Sequence, residues 1–162
     1  MVEGMESVGL GEIKISNGEA DVLVAFGLGS CVGVGLYDPK IHLGGLLHAV
    51  LPQFRNNADI EAKYVDSGIK MLLSQMLEAG AIQSRLVVRM VGGANMLTAP
   101  GLANSFDIGT RNVESARLVL NKLKLPISAE EVGGSIGRTV RLYVADGRMT
   151  IRMMGGQERE IK

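Results

Sequence analysis

The sequence predicts one α+β domain, a mixed β-sheet structure with two to three helices packed outside. Three observations carry that expectation. Short apolar segments recur about every ten residues through the first half, the spacing of a meander of short strands. Two amphipathic helical patterns follow, separated by a buried strand and Gly92-Gly93. The last two apolar segments flank Asp146-Gly147, a strong hairpin signal. The order is four strands, helix, strand, helix, three strands. It lacks the regular alternation of a doubly wound sheet, so one large sheet or two packed sheets are expected.

Each element has its own signal. Val8 to Ile15 alternates loosely, and Asp21 to Phe26 is a short apolar run. Val32 to Tyr37 alternates with glycine and is closed by Asp38-Pro39; Gly44 to Leu51 is closed by Pro52. Gln53 to Asp59 is polar, carries Asn56-Asn57, and reads as a loop. Val65, Ile69, Leu72 and Met76 repeat at helical spacing, Leu73 and Leu77 widen the stripe, and Gly80 fits a C-cap. Arg85 to Val91 reads as a buried strand. Residues 94–107 show no period and contain Pro100 and Gly101. A second helix starts near Ile108 to Arg111, turns Val113, Ala116, Leu120 and Leu123 inward, and stops at Pro126. Ile127 to Val132, Thr139 to Ala145 and Arg148 to Met154 complete the strands.

Composition narrows the function classes. The 162 residues are 46% hydrophobic, enough for a core without a disulfide or metal staple. Residues 1–162 show no repeat, low-complexity tract or linker, so a single domain is expected. Lys plus Arg equals Asp plus Glu at 17 each. Nucleic-acid binding is not expected without a basic excess. Three tyrosines, three phenylalanines and no tryptophan offer no stacking platform for bases. No stretch approaches the roughly 18–20 apolar residues of a membrane span. Glu3, Glu6, Glu12 and Glu19 near the start do not fit a signal peptide. One cysteine cannot form an internal disulfide, and a cytoplasmic protein without membrane insertion is expected.

The chemistry centres on Cys31, framed by Gly27, Gly29, Gly33 and Gly35. A lone cysteine is most often buried filler. These neighbours supply exposed backbone instead of bulk, and amides beside a thiol can hold a thiolate or an oxyanion. His48 lies 17 residues on, inside Leu46 to Leu51. Such a histidine is either a hydrogen-bonded core residue or a general base for a thiol on the adjacent strand. The oxyanion donors would be amides of Gly29, Ser30 and Val32. Asn95, Asn112 and Arg138 are candidates for lining or ordering the site. His42 sits beside a turn and reads as a solvated loop residue. Gly27-x-Gly29 lacks the third glycine of a dinucleotide fingerprint, and no P-loop lysine follows. One cysteine and two histidines give no metal-ligand spacing, so neither metal nor cofactor is expected.

Gly27-Leu28-Gly29-Ser30-Cys31, followed by His48-Ala49-Val50-Leu51-Pro52, resembles the CheD family of chemoreceptor glutamine deamidases. The similarity continues, in order, through Lys63-Tyr64, Gly92-Gly93-Ala94-x-Met96, Ile108-Gly109-x-Arg111-Asn112 and Gly133-Gly134. The resemblance implies a bacterial or archaeal chemotaxis protein that hydrolyses glutamine side-chain amides on chemoreceptor cytoplasmic helices, giving glutamate and ammonia. Some members are described as acting on receptor methyl esters. Many bind the phosphatase CheC through the surface around the active site. The implied fold is a mixed-sheet sandwich similar to a toxin deamidase domain.

By the same resemblance Cys31 is the nucleophile and His48 the general base. The family's third catalytic member is a threonine six residues before the cysteine, where this chain has Ala25. Alanine has no hydroxyl to orient an imidazole. That role is then absent, or filled by a backbone carbonyl or another side chain. Ala25 also opens a second reading, an adaptor for CheC or receptor with vestigial catalysis. A weaker third reading is a cysteine amidohydrolase of small amides.

Overall fold

The computed structural model describes residues 4–55, 59–96 and 107–162. In chain order the strands are β1 (Met5–Ser7), β2 (Glu12–Ser16), β3 (Val22–Leu28), β4 (Val32–Asp38) and β5 (Leu43–Ala49), then β6 (Val87–Gly92), β7 (Ile127–Val132), β8 (Arg138–Tyr143), β9 (Met149–Met153) and β10 (Arg159–Glu160). Helix α1 (Val65–Glu78) precedes β6 and helix α2 (Ile108–Lys122) follows it. Single 3-10 turns occupy Glu61–Lys63 and Gln83–Arg85.

The strands form two five-stranded mixed sheets. The outer sheet runs β1-β3-β8-β9-β10, and the central sheet runs β2-β5-β4-β6-β7. One face of the central sheet presents Val32, Val34, Leu36, Leu47 and Ala49 to Val65, Ile69, Leu72 and Met76 of α1 and to Val113, Ala116 and Leu120 of α2. The other face meets the outer sheet through Leu46, Val91, Leu23, Ala25, Leu28, Val140 and Leu142. Each large side chain so buried is worth about 1.5–3 kcal/mol. Coverage on both faces leaves every position of β4 and β5 buried. These two strands therefore read as apolar runs rather than as a polar-apolar alternation.

The α+β class and the two helices match the sequence expectation. Gly80 has φ 108° and donates to the Leu77 carbonyl while Ala81 donates to Met76, the hydrogen bonds of a Schellman cap. Helix α2 ends the same way, with Lys124 at φ 59° where glycine is usual. Three details differ from expectation. The strand expected over Val8 to Ile15 begins only at Glu12, as β2, because the chain turns between Val8 and Glu12 with Gly11 at φ 72°; the short β1 precedes that turn and belongs to the other sheet. Asp146-Gly147 sits in a loop closed by Tyr143 and Arg148, not in a two-residue hairpin. The short β10 pairs with β9 beyond the last expected strand. Asn56-Asn57 of the expected loop, and Pro100 and Gly101 of the aperiodic segment, lie outside the described residues.

Candidate active site

Gly29, Ser30 and Cys31 connect the outer sheet to the central sheet, between the end of β3 and the start of β4. All three carbonyls of this connection are held. Gly29 O accepts from the Ala94 amide at 2.9 Å and Cys31 O from the Gly93 amide at 2.8 Å. Ser30 O accepts from Asn112 Nδ2 at 2.8 Å. The Gly92-Gly93 pair permits this approach. A Cβ at Gly92 would lie 2.3 Å from the Cys31 carbonyl oxygen, and one at Gly93 2.2 Å from Val113. With the carbonyls fixed, the amides of Gly29, Ser30 and Cys31 have no backbone acceptor among the described residues. Val32 is the first ladder residue of β4, between Ala49 and Gly92.

Cys31 is half-buried and packs against the core between the sheets. His48, on β5, lies opposite Gly33 of β4 and opposite Glu12 of β2. Directly opposed residues share a face, as do residues two apart on a strand. Cys31, one residue before β4, and His48 on β5 therefore lie on the same, inter-sheet side of the central sheet, set diagonally. A Cβ at Gly33 would sit 3.1 Å from Leu28 and 3.4 Å from Val140, so a side chain there would have to push these core residues aside.

The His48 ring is oriented by the main chain. Its Nδ1 lies 2.9 Å from the Val8 carbonyl oxygen. A carbonyl only accepts, so Nδ1 carries the proton and Nε2 carries a lone pair. Nε2 is buried and has no hydrogen-bond partner among the described residues. The turn that presents Val8 is itself pinned. Val8 N donates to Val24 O at 2.7 Å, Gly11 N to His48 O at 2.8 Å, and Gly9 N to Glu12 Oε1 at 2.6 Å. Ala25 lies on β3 opposite Val140 and is fully buried in the inter-sheet core.

Burial pushes the Cys31 thiol above its ordinary 9.0, opposed by a hydrogen bond from its own amide. Burial also pushes His48 below its ordinary 6.5, against the opposing pull of the Val8 carbonyl and the Glu12 charge. At neutral pH the resting pair is a thiol and a neutral imidazole. Such an imidazole can take a proton, and such a thiol is inert until it does.

The remaining sequence candidates take different places. Asn112, on the second turn of α2, is fully buried and donates to both Ser30 O at 2.8 Å and Val50 O at 2.9 Å. It ties the cysteine connection to the chain two residues beyond His48. Asn112→Ala removes both bonds and leaves two part-buried carbonyls short of donors. It should cost about 2–3 kcal/mol of stability in chemical denaturation and lower activity with it. An unchanged midpoint would contradict that role. Asn95 instead caps the start of α2, bonding Thr110 through Oδ1 and Nδ2. Arg138 is buried at the start of β8, with Nη1 3.5 Å from Gly92 O. His42 is an exposed loop residue whose Nδ1 lies 3.0 Å from Ala145 O.

A surface pocket of ≈ 720 Å³ opens beside the cysteine connection. Neither Cys31 nor His48 lines it. It adjoins the cysteine connection through Gly27 and through Met96, whose side chain lies against Gly29. Among the described residues no three His, Cys, Asp or Glu side chains cluster as a metal site, and no helix is long and apolar enough to cross a membrane.

The sequence allowed a backbone carbonyl in the orienting role but did not single out that of Val8 or its Glu12-braced turn. A main-chain acceptor leaves no residue signature, and β1 is joined to its neighbours by pairings that local patterns do not encode.

Residues 50–153 match the family described as CheD chemotactic sensory transduction. A protein of Symbiobacterium thermophilum named probable chemoreceptor glutamine deamidase CheD is 41% identical over 160 residues, covering 97% of each chain. A protein of the same name from Archaeoglobus fulgidus is 41% identical over 151 residues, covering 93% of this chain and 94% of that one. Among solved structures, the crystal structure of YlmD from Geobacillus stearothermophilus superposes with TM-score 0.45 and 14% identity, over 76% of this chain and 50% of that chain. The similarity to the two named proteins runs along nearly the whole length, through the segment that carries Cys31 and His48. On that match, the chain belongs to the CheD family.

Proposed function

We propose that the protein hydrolyses glutamine side-chain amides on chemoreceptors, giving glutamate and ammonia, with Cys31 as nucleophile and His48 as general base. The observation that carries the reading is the tautomer of His48. Its proton is committed to Val8 O, its Nε2 is buried without a partner among the described residues, and it sits opposite Gly33, two residues beyond the thiol.

The steps follow from that arrangement. Substrate binding brings the thiol to Nε2, which accepts the Cys31 proton. Sγ attacks the glutamine Cδ, and the carbonyl electrons move onto oxygen. Amides of the Gly29 to Val32 connection hold that oxyanion, each well-placed donor being worth about 3–4 kcal/mol. The His48 proton goes to the leaving nitrogen, and ammonia departs as the C–N bond breaks. Water then attacks the thioester, giving one proton back to His48. Glutamate leaves and the thiol is restored.

The adaptor reading rests on the hydroxyl missing at Ala25. The Val8 carbonyl supplies what that hydroxyl would, an acceptor for Nδ1, and so favours catalysis. Binding of CheC stays with the family resemblance alone.

Mass spectrometry of a receptor cytoplasmic fragment tests the activity. The expected result is a gain of about one dalton at particular glutamines, matched by released ammonia. An unchanged fragment would contradict it. The pH profile tests the roles. His48 must be neutral to act, and burial lowers its value, so kcat/KM should fall only as pH drops through a midpoint below 6.5. It should hold toward pH 9, because the thiol titrates above 9.0. An acid limb centred above 6.5 would contradict the neutral pair.

A further inference from the structure

Arg138 is 5% exposed, yet no carboxylate among the described residues pairs with it. The acid whose charge acts on it, Glu131, is engaged by Arg159 at 2.9 Å. A guanidinium carries several N–H donors in a fixed fork. Here one reaches Gly92 O at the limiting distance of 3.5 Å, and Nε is buried with no partner. A buried cation held this poorly is costly unless something else completes it.

What surrounds Arg138 says what that is. It lines the ≈ 720 Å³ pocket together with Arg152, and no acidic residue is in the lining. Arg152 is exposed, and its Nε donates to Gly156 O at 3.0 Å. Around these two cations the walls are apolar, with Met96, Ile136 and Met154 all exposed. Gly27 and Met96 connect the pocket to the chain that carries Cys31.

We infer that this pocket recognises a carboxylate side chain on the peptide segment that presents the target glutamine. Arg138 grips the carboxylate as a fork, Arg152 adds charge at the rim, and the methionines and Ile136 hold the apolar flank of the same segment. The inference rests on the deamidase reading for the identity of the segment. It makes Arg138 a specificity-determining residue that acts several residues away from the reacting amide.

The test uses the full chain with Cys31→Ala, so that binding is read without turnover. The probes are fluorescein-labelled synthetic peptides with one glutamine. A glutamate is placed at each of the first four positions on either side, with alanine and lysine counterparts. Fluorescence anisotropy should show at least one glutamate position binding about ten- to a hundredfold tighter than its alanine counterpart. Lysine at that position should bind more weakly still. Arg138→Met should erase the preference, and Arg138→Lys should restore part of it. Thermal unfolding separates this from a structural role, because Arg138→Met removes a poorly paired buried charge and should leave the midpoint unchanged or raised. Equal binding of glutamate, alanine and lysine peptides, or a preference that survives Arg138→Met, would overturn the inference. So would a lower unfolding midpoint accompanied by uniform loss of binding. Ammonia release by the wild-type chain from the same peptides is scored separately. Its absence alongside an Arg138-dependent preference would remove the deamidase reading and leave the carboxylate site standing.

Discussion

Cys31→Ala lowers ammonia release from a receptor fragment by roughly a thousandfold or more, because it removes the thiol on which the mechanism depends. The chain has no other thiol. The same variant should fold. Cys31 is only half-buried, and its side chain packs at the edge of the inter-sheet core rather than within it. Stability should therefore change by about 1 kcal/mol or less. Binding of the fragment should be retained, since the pocket beside the cysteine connection is untouched. Activity within a few-fold of wild type would remove Cys31 from the mechanism.

His48→Asn should lower kcat by about a hundred- to ten-thousandfold. KM should change little, because His48 is buried beneath the surface a substrate would meet. The loss reflects a thiol that burial holds protonated, left with no base to take its proton. Ala25→Thr makes the informative contrast. In this chain Nδ1 is already bonded to Val8 O, so an added hydroxyl finds the orienting position at Nδ1 taken and should change kcat less than tenfold. A gain of several hundredfold in Ala25→Thr would show that the Val8 carbonyl is not an adequate orienter. The readout for both variants is steady-state ammonia release, with thermal unfolding as the check on folding.

Much of this site was legible in residues, and the rest had to come from pairing. Cys31 and His48 could be placed on adjacent strands because glycine alternation and the Asp38-Pro39 turn mark β4 and β5 as neighbours. That they share a face follows from register, which Gly33 opposite His48 fixes. The helices were readable because each turns one apolar stripe to the central sheet. Asn112 was readable as a candidate but not as a clamp. Its two carbonyl partners lie on segments 82 and 62 residues away in sequence. Two packed sheets were among the expected arrangements, but the assignment of strands to each sheet was not legible, since β1 pairs parallel to β3 and β2 antiparallel to β5 across one short turn. Arg138 carried no signal of burial either. An arginine at the start of a strand reads as solvated until the end of the central sheet is seen to close over it.

The nucleophile can be tested through the intermediate it must form. Attack by Cys31 requires a thioester between Sγ and the former glutamine side chain, and hydroxylamine intercepts such a thioester. A receptor peptide incubated with wild-type protein and excess hydroxylamine should therefore be recovered partly as the hydroxamate, at the same glutamine that otherwise becomes glutamate. The Cys31→Ala protein should give neither product. Glutamate formed with no hydroxamate at any hydroxylamine concentration would mean that water attacks the amide directly, and would contradict a cysteine nucleophile.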